Sequence, residues 1–473
     1  VLDRWPPYHA REVALDELRL AMQREPSALD ARFYCASFLR DHGRLAEAIA
    51  LFEEILAIVP DHVETLVALA VVLTRAGRRL DARGALERAL AHDAAHLGAL
   101  VNLANLWALD DPQRAESLYH AALARDERFA PAHRGLCSLA ATAGYTIAAA
   151  HHRSAGYREP FGRLPYYGER MPATVLALTS TDGGNIAPGS LLDPHIFLVN
   201  EVYVECYRGE PLPPHQLVVN LISDADRAAP ALLAAARIAA CSHAPVINQP
   251  NAVARTGRVE NAIRLADLPG AVIPAARLVS RSAAPPETYP VIIRTPGRHM
   301  GRGMRLVSDD GAFAAAFDEL PVAETLIVLP YVETRSPAGE WRKYRVMCIA
   351  GQLYPLHLAI AHRWDVHYFS AAMTERAEYR AEEAHFLRDP ISVLGAPAWD
   401  ALGKIRDRLG LDYMGIDFGL LDDGRIVLFE ANAAMAVLAP DPDPRFAYRR
   451  PASDAIALAL RDMLLDRIKA FSG

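Results

Sequence analysis

Four alanines set the architecture of the first third of this chain. Ala48, Ala82, Ala115 and Ala149 lie 34, 33 and 34 residues apart. Gly43, Gly77 and Gly144 precede three of them by five residues, and Asp110-Asp111-Pro112 takes the turn in the remaining unit. Phe52, Leu86 and Tyr119 follow three of the alanines by four residues, and Pro26 and Pro60 close units. Within a unit the apolar spacing is helical, as in Ala48, Ile49, Phe52, Ile55 and Leu56. A period of this length predicts stacked helical hairpins, whose common core no single unit could bury. A small side chain at each alanine lets two helices approach closely.

Over roughly residues 10 to 155 the pattern resembles tetratricopeptide repeats. The resemblance implies an α-solenoid, assigned here to residues 1–155. Such a solenoid offers a concave face to a peptide or protein partner, or serves as a scaffold for a homodimer. The stretch "GYREPFGRLPYYGERMP" (156–172) then reads as an ordered linker.

Beyond it the period changes. "ATVLALTS", "HIFLVN", "HQLVVNLIS" and "APVIN" are short apolar strands, with a helix, "APALLAAARIAACS", between two of them. This alternation predicts an α/β domain over 173–250 with a partly parallel sheet. "TDGGN" sits at the C-terminal end of its first strand, where such sheets place ligands. A strand then runs into Asn248-Gln249-Pro250, followed by a helix carrying Arg258. "PVIIRTPGRHMGRGMRLVSD" reads as strand, loop, strand. Its Gly297, Gly301 and Gly303, with Arg298, His299 and Arg302 among them, suit either a plain β-turn or a phosphate cover. "TLIVLPYVET" is a strand entering a connection, and "EWRKYRVMCIAGQLYPLHLAI" a hairpin. By period two, Lys343 and Arg345 share one face of it, with Tyr344 and Val346 on the other.

The most polar strands come last. In "GIDFGLLDDGRIVLFEANAAM" (415–435), Asp423-Gly424 predicts a two-residue hairpin turn. That register sets Asp417 opposite Glu430, with Asn432, Gly415 and Gly419 on the same face. Met414, Ile416, Phe418, Val427 and Phe429 form the opposite, core face. Opposed carboxylates destabilise a sheet unless a divalent cation joins them. An all-oxygen set suits Mg²⁺, which takes further ligands from water and phosphate. The alternative is a solvated polar face.

The order of these pieces, a helix-borne cation, a cationic strand into a glycine loop, an apolar hinge, a cationic strand and an Asp…Glu-x-Asn hairpin, resembles the ATP-grasp superfamily of carboxylate–amine ligases. The resemblance covers about residues 170 to 473. It implies an α/β pre-grasp domain followed by an α+β ATP-grasp domain, with subdomains at 251–328 and 329–473. It implies ATP and Mg²⁺ as cofactors, with Asp417, Glu430 and Asn432 holding the metal. Arg258 and Arg294 stand where the family has phosphate-binding lysines, and Gly297 to Gly303 match its mobile loop. Leu329, Pro330, Tyr331 and Val332 match the hinge that meets adenine, with Glu333 a ribose partner. Arg345 matches a cation near the γ-phosphate and the reacting carboxylate; with Lys343 and Arg294 it completes the implied catalytic set. Both lysines appear as arginines in a chain with three lysines against 47 arginines. Arginine keeps the charge and binds phosphate through a fork instead of a point. The expected reaction is ATP-dependent C–N ligation through an acyl phosphate, on a peptide or a protein-presented substrate. A phosphotransferase and a nucleotide-binding interaction protein without turnover are the alternatives.

Other classes fit poorly. A net charge of -7 leaves no basic footprint for nucleic acid. The five cysteines are scattered, as expected of a cytoplasmic protein, and no apolar run reads as a membrane span or a signal peptide. His357, His362 and His367, beside Trp364 and Tyr368, read as ordinary surface or core histidines sooner than as acceptor-pocket residues, and not as a zinc site.

Overall fold

The computed structural model describes residues 29–168, 170–280, 282–297, 303–319, 325–367, 371–435, 437 and 443–472, together with residues 20, 22 and 24. The first described helices stack in pairs: α1 (Leu29–Asp41) with α2 (Leu45–Ile58), α3 (Val63–Arg75) with α4 (Arg79–His92), α5 (Leu97–Trp107) with α6 (Pro112–Leu123), and α7 (Ala130–Ala143) with α8 (Thr146–Gly156). The four repeat alanines are buried, as are Phe52, Leu86 and Tyr119. Gly43, Gly77 and Gly144 follow the ends of α1, α3 and α7 with φ of +74, +78 and +82°. Nothing lies within 4 Å of a Cβ built on them. Backbone handedness, not space, therefore demands glycine there. Where the repeat has Asp111 instead, its carboxylate caps α6 by accepting from the Arg114 N–H. His62 and His96, one repeat apart, cap α3 and α5 in the same way, accepting from Thr65 and Ala99 N–H groups.

The solenoid meets the sheet-rich region at both ends. The His42 ring, just past α1, lies 5.6 and 5.8 Å from those of Tyr167 and His195. At the far end, Arg153 of α8 pairs with Asp182 and donates to the Thr181 hydroxyl at 2.8 Å.

The sheet that follows has the order β1-β3-β2-β4-β5, made of β1 (Phe161–Arg163), β2 (Ala173–Thr179), β3 (Phe197–Tyr203), β4 (Leu217–Asn220) and β5 (Val246–Ile247). The last four are parallel, and β1 runs antiparallel to β3. The segment expected to be only a linker thus adds an edge strand. Helix α9 (Ala229–Ala239) buries its apolar stripe against this sheet. Two short helices follow, α10 (Pro250–Val253) and α11 (Arg258–Arg264), then β6 (Ala271–Val272).

A four-stranded antiparallel sheet, β7-β10-β8-β9, is built from β7 (Arg277–Ser280), β8 (Val291–Arg294), β9 (Met304–Val307) and β10 (Thr325–Pro330). The third sheet, β12-β11-β13-β14-β6, combines β11 (Trp341–Ile349), β12 (Gln352–Ala361), β13 (Tyr413–Leu420) and β14 (Ile426–Asn432) with β6. One of its faces, with Tyr344, Val346, Met414, Ile416 and Phe418, shares a core with Phe386 and Leu402 from two helices that follow β12. The opposite face is divided. Met347, Ile349 and Tyr413 pack with Ile456, Leu460 and Leu464 of the C-terminal helix Arg450–Ser472 and with Val175 and Leu217 of the first sheet. That helix bridges both sheets. Further along the same face stand Lys343, Arg345 and Asp417, beyond the reach of that helix's apolar side chains.

The final hairpin departs from expectation twice. Leu421 N–H donates to the Arg425 carbonyl and Gly424 N–H to the Leu421 carbonyl. The loop is therefore three residues, Asp422 to Gly424, with Gly424 at φ +84°. This shifts the pairing by one, so that Phe418 faces Leu428. A bulge at Phe429 then restores it, and Asp417 faces Glu430 as predicted. Val427 and Phe429 consequently leave the core face assigned to them. Val427 pairs with Gly419 beside the acidic residues, and Phe429 is 37% exposed.

Candidate functional site

The three sheets meet around a cavity of about 540 Å³. Its walls come from Gly184, Asn185, Ser223 and Asp224 at the C-terminal ends of β2 and β4, from Arg294 and the hinge Leu329 to Val332, and from Lys343, Arg345, Asp417, Glu430 and Asn432. A recess of about 60 Å³ adjoins it and holds Arg258 and Asp226.

Asp417 is 3% exposed. Arg345 grips it with both arms, Nε to Oδ1 at 2.5 Å and Nη2 to Oδ2 at 2.7 Å, and Lys343 Nζ lies 3.3 Å from Oδ2. Burial would raise the Asp417 carboxyl, but Arg345 and Lys343 hold it well below the usual carboxylate range. Burial lowers the Arg345 guanidinium; Asp417 more than reverses this. Lys343 and Arg345, which the period-two pattern set on one face, thus converge on one carboxylate.

Glu430 has its own cation. Arg258 Nη2 donates to Glu430 Oε1 at 2.6 Å, and Asn432 Nδ2 donates to the same oxygen at 2.7 Å. The Arg258 backbone N–H donates to Asp226 at 3.1 Å, which fixes the start of α11. Asn261, one turn on, donates to the Ala431 carbonyl at 2.7 Å and ties α11 to β14. Burial pushes Arg294 down to about 10, and Arg258 beside it adds to the shift. The same wall thus concentrates cations and carboxylates in near balance, which suits a polyanion that arrives with its own divalent metal.

The donor set fits a hard cation. Asp417, Glu430 and Asn432 offer oxygen only, and a carboxylate carries about four lone-pair sites, so three bonds do not exhaust Asp417. Asn432 Oδ1 accepts from the Ala434 N–H at 2.9 Å, which orients the amide. Among the described residues no three His, Cys, Asp and Glu side chains form a metal cage. A cation here would depend on phosphate and water for its remaining ligands.

Two glycines make this packing. A Cβ on Gly415 would lie 2.4 Å from Met435 Sδ, and one on Gly419 would lie 2.8 Å from Phe429 Cζ and 3.0 Å from Thr334 Cγ2. Both glycines flank Asp417 on its own face.

Other expected residues are placed differently. Gly297 and Gly303 close the base of their loop, where Thr295 N–H donates to the Gly303 carbonyl at 3.0 Å, and both have φ of +65°. Arg298, His299, Gly301, Arg302 and Tyr368 lie outside the described residues. Glu333 is absent from the described cavity wall. Its Oε1 accepts from Tyr331 Oη at 2.9 Å and Trp341 Nε1 at 2.8 Å, which braces the segment after β10. His357 and His367, expected to be ordinary histidines, line the cavity, while His362 contacts Tyr379 outside it. His357 is wholly buried, and burial with Arg345 nearby holds its pKa far below the usual value. Arg227, Asp226 and Asn261 were not foreseen; no local motif marks them, because the tertiary fold alone brings them to the wall.

The tetratricopeptide repeat family model matches residues 39–100. No curated protein matches the chain. Among solved structures, the chain is similar to the RimK domain protein ATP-grasp from Sphaerobacter thermophilus DSM 20745, at 17% identity and TM-score 0.39, covering 62% of this chain and 100% of that one. It is also similar to MamA 41-end from Desulfovibrio magneticus RS-1, at 20% identity and TM-score 0.29, covering 31% and 84%. A further match is YrrB, described as a TPR protein with an unusual peptide-binding site, at 20% identity and TM-score 0.27, covering 31% and 76%. No helix among the described residues is long and apolar enough to cross a membrane.

Proposed function

We propose that this chain is an ATP-dependent carboxylate–amine ligase working through an acyl phosphate. The observation that carries the proposal is the pairing of Asp417 with Glu430 across β13 and β14, in one cavity with Arg345, Lys343, Arg294 and an apolar hinge. Asp417, Glu430 and Asn432 would hold Mg²⁺, which supplies neutralisation of phosphate charge. Arg258 and Arg294 would bind phosphates, and Gly297 and Gly303 would present backbone N–H groups to them. Leu329 to Val332 would meet adenine.

A carboxylate is a poor electrophile. Its oxygen attacks the γ-phosphorus, the bond to the bridging oxygen breaks, and ADP leaves. The amine then attacks the acyl carbon and phosphate departs. Arg345 would neutralise charge on the transferred group and on the tetrahedral oxyanion. Exclusion of water from the cavity during turnover would protect the acyl phosphate. The repeats would present a peptide or protein that carries one of the two substrates.

Hydroxylamine trapping tests this reading. Purified protein with Mg-ATP and pools of amino acids and peptides should yield a hydroxamate and release phosphate. Phosphate transfer to a stable product with no need for an amine would indicate a phosphotransferase. ATP binding with neither product would leave only an interaction protein.

A further inference from the structure

Arg227 stands where three parts of the molecule meet. It lines the 540 Å³ cavity. Its Nη2 donates to the Thr142 hydroxyl in the last turn of α7, at 2.6 Å, and to the Asp182 carbonyl in the loop after β2, also at 2.6 Å. Its stem lies beneath Gly297: a Cβ there would sit 3.1 Å from Arg227 Cβ and 3.6 Å from its Cγ. Gly297, at φ +65°, begins the loop whose base Thr295 and Gly303 close. The Arg227 backbone is itself held, because its N–H donates to the Asp224 carboxylate at 3.1 Å.

The solenoid side of this joint is built, not grazing. Asp182 is paired with Arg153 of α8, and Cys137 Sγ of α7 lies 3.7 Å from the Thr181 carbonyl. Glu205 accepts from both the Ser180 and the Thr181 hydroxyls and stiffens the loop from behind. One arginine side chain therefore joins three parts: its guanidinium meets the final repeat hairpin and the loop after β2, and its stem meets the glycine turn of the second sheet.

We propose that Arg227 is a positioning residue through which the last repeat hairpin sets the Gly297 turn. A displacement of α7 is transmitted through the Nη2–Thr142 hydrogen bond to the side chain on which Gly297 rests. The consequence for nucleotide binding rests on the ligase reading; the mechanical coupling does not.

The test uses the full chain without nucleotide. Hydrogen exchange of the Thr295 and Gly297 amides is compared in wild type, Arg227→Ala, Arg227→Lys, Thr142→Val and Thr142→Ser. Thr142→Val removes the hydroxyl, and with it the bond from Arg227 and the hydroxyl's own bond to the Ser138 carbonyl one turn back, while Thr142→Ser keeps both. Loss of these bonds should raise exchange roughly tenfold in Arg227→Ala and about threefold in Thr142→Val. Thr142→Ser should match wild type, and Arg227→Lys should fall between, since an ammonium lacks the fork. Mg-ATP affinity is measured on the same proteins and should fall in the same order. Unchanged exchange in both Arg227→Ala and Thr142→Val overturns the coupling, and a normal Mg-ATP response in those proteins would leave the ligase reading standing. Raised exchange in a protein whose wild type shows no Mg-ATP response supports the coupling and removes the nucleotide reading.

Discussion

Asp417 faces Glu430 directly across the β13–β14 ladder because β14 bulges at Phe429. The bulge compensates the extra residue of the Asp422–Gly424 loop. Without it, every β14 side chain beyond Leu428 would change face, and Glu430 would enter the core. The bulge also turns Phe429 outward, over the position where Gly419 has no side chain.

Gly419→Ala tests that arrangement. The added methyl meets Phe429 and Thr334 at 2.8 and 3.0 Å, so the hinge side must give. The variant should lose about 1–3 kcal/mol in thermal or denaturant unfolding. Mg-ATP affinity should fall at least fivefold, because Phe429 lines the cavity. Gly84→Ala is the control: it sits in α4 with nothing within 4 Å of the new methyl and should stabilise by about 0.4–1 kcal/mol.

Arg345 separates stability from chemistry. Arg345→Ala leaves the buried Asp417 with Lys343 alone and should cost about 3–5 kcal/mol. Arg345→Lys keeps the charge but not the fork, so melting should recover most of the way while phosphate release stays at least about 100-fold down. Wild-type turnover in Arg345→Lys would remove Arg345 from the reacting group.

Much of this was legible in the residues and some was not. The repeat alanines and glycines declared themselves because each repeats one physical demand, close helix contact or a left-handed turn. Lys343, Arg345, Asp417, Glu430 and Asn432 stood out because polar side chains interrupted strands otherwise bound for a core. The bulge at Phe429 was invisible, since Asp-Gly fits both a two- and a three-residue loop. The bond from Trp341, eight residues on, to the Glu333 carboxylate was also invisible, since only the fold brings the indole to it. Arg227, Asn261 and His357 owe their places to packing between sheets, which no local pattern encodes.

The histidines of the last repeats predict a pH response. His133 Nε2 bonds to the Glu127 carbonyl at 2.9 Å and so carries its proton there. Its Nδ1 must then accept from His152 Nδ1–H, also at 2.9 Å. Burial, with His133, His151 and His120 around it, lowers His152 to about 4. Between that value and the ordinary value near 6.5 the unfolded chain binds more protons than the folded one. Stability should therefore rise with pH across that window and fall on acidification. Melting temperature measured from pH 4 to 7 should show a shallower slope for His152→Gln than for wild type.

The central claim is a nucleotide site organised by Glu430. Its most direct measurement is thermal melting of the full chain with and without millimolar Mg-ATP, beside Glu430→Ala. The account predicts a magnesium-dependent rise of several degrees in wild type, absent from the variant. No shift in wild type, or an equal shift in Glu430→Ala, would contradict it.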